Sequence, residues 1–103
     1  LAKNYTKKYE IASFSGGFHG KTLGTLGLMG SDFKSSYGPF APGCHNLPFP
    51  DSTIKGIKTE NFLEMARTQL KNNLTSGLAA IIIEPVQGTA GNIEPPKDFI
   101  IGL

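Results

Sequence analysis

The apolar positions along this chain change period several times, and each change marks an element. Glu10-Ile-Ala-Ser-Phe14 is a dense apolar run, so residues 10–15 read as a buried strand. Residues 1–9 read as the last turns of a helix, with Lys7 and Lys8 near its negative end. Gly16 to Gly20 reads as a turn. Leu23, Leu26 and Met29 recur at helical spacing, which predicts a helix over residues 20–30. Gly20, Gly24 and Gly27 share one face of that helix. Glycine costs about 1 kcal/mol in a helix interior, so this smooth face predicts close backbone packing.

Residues 31–58 show no period and carry prolines at 39, 42, 48 and 50. A loop of that length is uncommon in a small domain and is often functional or interfacial. Tyr37, Phe40, Leu47 and Phe49 make it too apolar for a free linker, so it is expected to pack on something, another subunit included. Residues 59–75 form the clearest helix. Thr59 is placed to cap it, Glu60 sits in its first turn, and Phe62, Ala66, Leu70 and Leu74 make one stripe. Gly77 ends it. Leu78 to Ile83 is a continuous apolar run, the signature of a strand covered on both faces. Pro95-Pro96 then precedes Lys97-Asp98-Phe99, the start of another helix. Strands alternating with helices predict an α/β fold with a mostly parallel sheet and covering helices.

Composition narrows the class. A chain of 103 residues suffices for one small domain with a modest core. Net charge is +2, which makes no case for nucleic acid or an anionic membrane as partner. No apolar run is long enough to span a bilayer. A single cysteine, Cys44, excludes an internal disulfide and suits a reducing compartment, so an intracellular location, cytoplasmic or mitochondrial, is expected. Leu1 opens inside a helix tail and Phe99–Leu103 closes on an apolar run. Both ends read as cut, and residues 1–103 are expected to be one piece of a larger domain.

The turn Ser15-Gly16-Gly17-Phe18-His19-Gly20-Lys21-Thr22 carries the chemistry, and three readings compete for it. The first is a P-loop for nucleotide phosphates, with Gly20-Lys21-Thr22 as its second half and Glu84 after an apolar strand as the metal-side acid. Ser15 stands where that pattern needs glycine, and Phe18 and His19 would crowd the cradle. The second is a metal held by His19, Cys44, His45 and an acid, but no pair has standard zinc spacing. The third is a flat aromatic cofactor. Phe18, held by glycines at a strand end, offers a ring face; His19 offers a hydrogen bond; Glu84, at the tip of a second strand, orients a cofactor or a substrate amine. Against it stands the plain possibility that Phe18 is core and Glu84 makes a structural salt bridge. The residues alone leave that choice open, along with a catalytically inert scaffold module.

Three segments together resemble the class III, or omega, aminotransferases, which are fold-type I enzymes dependent on pyridoxal 5'-phosphate. They are Ser13-Phe14-Ser15-Gly16-Gly17-Phe18-His19-Gly20-Lys21-Thr22-Leu23, Tyr37-Gly38-Pro39-Phe40-Ala41-Pro42-Gly43, and Ala80-Ile-Ile-Ile-Glu84-Pro85-Val86-Gln87-Gly88. The resemblance runs the length of the chain and implies a fragment of the family's large, cofactor-binding domain, from a homodimeric protein. It implies that Phe18 stacks on the pyridine ring, with His19 and Glu84 beside the cofactor, and that Gln87 and Gly88 shape the following turn. The implied reaction moves an amino group from an omega-amino acid or diamine to a 2-oxo acid.

Lys21 stands where 4-aminobutyrate, ornithine and acetylornithine aminotransferases usually carry an arginine that grips a substrate carboxylate. Lysine holds a carboxylate as a point charge, without the bidentate fork. Thr89 stands where those enzymes usually have a glutamate, and it cannot form that residue's ion pair. No lysine of this chain sits in the context of the family's Schiff-base lysine, so that residue is expected outside it.

Overall fold

The computed structural model covers residues 1–103 and describes all side chains except those of Ser31 and Asp32. A short helix α1 (Ala2–Thr6) ends where Lys7 turns into the left-handed region at φ 58°. It leads into strand β1 (Glu10–Phe14). Helices α2 (Leu23–Leu26) and α3 (Ser31–Lys34) follow, then strand β2 (Cys44–Leu47). The long helix α4 (Thr59–Asn73) crosses to strand β3 (Leu78–Ile81), and α5 (Lys97–Gly102) closes the chain.

The sheet is parallel throughout, in the order β2-β1-β3. Phe14 stands beside Leu47, and Ala12 beside both His45 and Ile81. The central strand is therefore the buried one, with Ala12, Ser13 and Phe14 closed to solvent. On one face Phe14 packs edge-on to Phe49 and Phe99, at centroid distances of 5.9 and 5.7 Å. Ala66 of the α4 stripe closes the same core, with Phe62 and Leu70 against it. Phe62, Ala66 and Leu70 are thus the face the sequence pattern foretold, whereas Leu74 is extended at the helix's C-cap, three residues before Gly77.

Four expectations change. The irregular stretch 31–58 contains α3 and β2. Cys-His-Asn-Leu has no alternation to announce a strand; it becomes one because β1 lies beside it, with Ile11 N–H donating to Gly43 and Ser15 N–H to Leu47. The helix of residues 20–30 contracts to the four residues of α2, so its glycines share no face. Gly20 precedes it at φ +104°, Gly24 faces open space, and only Gly27 makes a close approach, 2.9 Å from a built Cβ to Cys44 Sγ. Thr59 does not cap α4; its hydroxyl donates to Asp98 at 2.8 Å and ties α4 to α5. Finally, β3 is an edge strand within this chain, and Ile81 and Ile82 are exposed rather than covered on both faces.

Candidate functional site

Parallel strands send their following loops to one end of the sheet, where α/β proteins bind ligands. Here the loops after β1 and β3 meet at that end. The chain leaves β1 through a tight turn in which Gly17 N–H donates back to the Phe14 carbonyl at 3.1 Å. Gly16 takes φ +79°, a conformation that favours glycine. A Cβ there would lie 2.5 Å from Gln87 Oε1, so the turn and the second loop are in direct contact. From the other side Gly30 N–H donates to the Gly17 carbonyl at 3.0 Å.

The site residues expected from the sequence come together around this turn. Glu84 Oε2 accepts the Phe18 N–H at 2.8 Å and Oε1 accepts the Gly88 N–H at 3.2 Å. Among the described residues Glu84 makes no salt bridge; it holds the backbone beneath the aromatic ring. The half-buried Phe18 ring meets Phe33 edge-on at 5.6 Å and 86°. It borders a cleft of about 350 Å³ with Met29, Phe33, Tyr37 and the exposed Lys21. His19 donates its backbone N–H to Met29 Sδ at 2.9 Å. Its ring Nε2 is buried without a hydrogen-bond partner among the described residues. Burial pushes the His19 imidazole below the ordinary histidine value, and the Glu84 charge opposes part of that shift.

The P-loop reading fails on this geometry. A phosphate cradle needs free N–H groups converging on one point. Those of Gly17, Phe18 and His19 are spent on Phe14, Glu84 and Met29. The candidate metal residues are separated too: His45 lies 2.6 Å from Glu10 at the start of β1, away from His19. Among the described residues no His, Cys, Asp and Glu groups cluster as a metal site.

Sequence reasoning underrated two residues. Gln87 is only 2% exposed and donates its Nε2–H to the Ser15 carbonyl at 2.8 Å. Glu10, 4% exposed, collects the N–H and hydroxyl groups of Thr75 and Ser76 besides His45. A polar residue opening an apolar strand was the available signal for Glu10; for Gln87, the adjoining glycine-rich turn gave none by itself.

The family model described as aminotransferase class-III matches residues 1–103. The chain belongs to that family. A probable 4-aminobutyrate aminotransferase of Bacillus subtilis (strain 168) is 33% identical over 97% of this chain and 25% of its own length. A 5-aminovalerate aminotransferase of Pseudomonas putida is also 33% identical, over 97% of this chain and 24% of its own. The class III chain thus spans about a quarter of the length of these relatives. Among solved structures, a taurine:2-oxoglutarate aminotransferase from Bifidobacterium kashiwanohense, in complex with PLP and glutamate, superposes with a TM-score of 0.83 at 27% identity, over 98% of this chain and 25% of that one. An amine transaminase from an uncultivated Pseudomonas species, in its PLP-bound form, gives 0.77 at 25% identity, over 98% of this chain and 24% of that one. The fold is accordingly an α/β piece of a class III transaminase. Among the described residues, no helix is long and apolar enough to cross a membrane.

Proposed function

We propose that residues 1–103 are part of the pyridoxal-phosphate-binding large domain of an aminotransferase. The whole protein moves an amino group from an omega-amino acid or diamine to a 2-oxo acid. The observation that carries this reading is the Phe18–Glu84 pair: an aromatic ring at the ligand end of a parallel sheet, its backbone anchored 2.8 Å from a carboxylate on the neighbouring strand's loop. Relatives named for 4-aminobutyrate and 5-aminovalerate support the omega-amino donors.

The residues present fit the cofactor. Phe18 offers a fixed, half-open ring bordering a cleft, and the exposed Lys21 stands on the same cleft. When bound, pyridoxal phosphate supplies the electron sink of transamination. Phe18, His19 and Glu84 are its binding residues in this reading: Phe18 by stacking, His19 through the turn that carries the ring, Glu84 by holding the Phe18 N–H. Lys21, exposed at the same cleft, binds a substrate group, with its ammonium suited to a carboxylate. The Schiff-base lysine belongs to the rest of the protein, which is a homodimer. Cys44, the single cysteine, suits a reducing compartment, cytoplasmic or mitochondrial.

The visible spectrum of the whole protein tests the reading. A band from bound pyridoxal phosphate is expected, bleached by borohydride and also lost on adding an omega-amino donor without acceptor. A colourless protein that stays colourless after incubation with the cofactor would overturn it.

A further inference from the structure

Gln87 is a buried amide in an exposed loop: its neighbours Val86, Gly88 and Thr89 all face solvent. Burying an amide is unfavourable unless its hydrogen bonds are made. Its Nε2 reaches across to the carbonyl of Ser15, a residue 72 positions earlier. Its Oε1 occupies the room that Gly16 leaves by lacking a Cβ. The loop that carries it is braced, because Gln87 and Ile93 exchange backbone hydrogen bonds of 2.9 and 3.2 Å. On the far side of the turn a Cβ at Gly30 would lie 2.8 Å from the Gly16 nitrogen, so the turn has no room to retreat. Ser15 and Gly16 are therefore gripped between a side-chain amide and a backbone, just ahead of Phe18.

We propose that Gln87 is a positioning residue: by holding Ser15 and filling the space over Gly16, its amide sets the height of the turn, and with it the plane of the Phe18 ring against the cofactor. The proposal rests on the reading of Phe18 as the cofactor's stacking wall. Glu84 fixes the Phe18 N–H directly; Gln87 fixes where the turn leaves the sheet. Displacements of an ångström at such a distance are enough to impair a site.

The test uses the full-length enzyme, stripped of cofactor and reconstituted with pyridoxal phosphate, with affinity read by visible circular dichroism. Phe18→Ala and Gln87→Leu are each expected to weaken binding about tenfold. The double variant is expected to bind no more weakly than Phe18→Ala, because the amide acts through the ring. Unchanged affinity in Gln87→Leu, or additive losses in the double variant, overturns the proposal while the stacking wall stands. Unchanged affinity in Phe18→Ala overturns the stacking wall itself and this proposal with it. Should Gln87→Leu not fold, Gln87→Glu decides. Its carboxylate repels the Ser15 carbonyl, but once protonated it donates again, so affinity relative to the natural enzyme rises as pH falls from about 8 toward the ordinary glutamate range near about 4.3. A ratio that stays constant over that whole range overturns the proposal.

Discussion

Two carboxylates in this chain have opposite surroundings from those their sequence positions suggest. Glu84 ends at a ligand edge yet spends its oxygens on backbone N–H groups; Glu10 opens a strand yet is enclosed by donors. The Thr75 hydroxyl first, then the Ser76 N–H, hold the Glu10 carboxyl far below the usual carboxylate range, with His45 adding to them and burial opposing. Because the folded value is depressed, its stabilising contribution is complete above the unfolded value of about 4.3. It is lost as pH falls from there toward the folded value. Glu10→Gln in the whole protein is therefore expected to lower the melting temperature at pH 7, with the gap to the natural protein narrowing as pH drops below about 4. Thermal unfolding monitored across pH checks this; a gap that does not change with pH removes the ionised carboxyl as its cause. Glu10 lies at the opposite end of β1 from Phe18, so its loss is a matter of folding and leaves the site chemistry alone.

Among the elements, Gly30 ahead of α3 and Gly24 inside α2 separate packing from propensity. Gly30 backs onto the Gly16 backbone, with 2.8 Å from a built Cβ to the Gly16 nitrogen, and no flexible side chain is there to yield. Gly30→Ala is expected to destabilise the whole protein by about 1–3 kcal/mol. Gly24, inside α2, meets nothing within 4 Å of a built Cβ. Gly24→Ala is expected to stabilise by up to about 1 kcal/mol, since alanine loses less backbone entropy in a helix. Denaturant titration of the two variants reads the contrast, and equal effects would remove the close approach as an explanation. The same contrast shows what sequence periodicity conveys. The stripe Phe62, Ala66, Leu70 was legible because a helix repeats its burial locally. The glycine face was misread, because three glycines at helical spacing say nothing about whether the helix extends through them.

As a whole the molecule is a three-stranded parallel sheet with open edges. Ile81 on β3, Ile82 just after it and Ile101 on α5 are exposed, the last by 79%. Relatives are about four times as long, with this chain covering 25% of the Bacillus subtilis protein. The isolated 103-residue chain is therefore expected to bind a hydrophobic dye and to unfold without a sharp transition, whereas the whole protein melts cooperatively. Calorimetry of both decides it; a sharp melt of the isolated chain would mean that its exposed isoleucines need no partner.

Sequence alone determined the alternation of strand and helix outside residues 31–58, the buried β1, the apolar stripe of α4, and the glycine turn that presents Phe18. These depend on propensities and periods that act over a few neighbouring residues. Tertiary structure alone decided that Cys44–Leu47 is a strand, that Glu84 binds the Phe18 backbone 66 positions away, and that Gln87 is buried against Ser15. A hydrogen bond between residues so far apart leaves no local pattern in either partner; it exists only once the sheet has brought the two loops to the same edge.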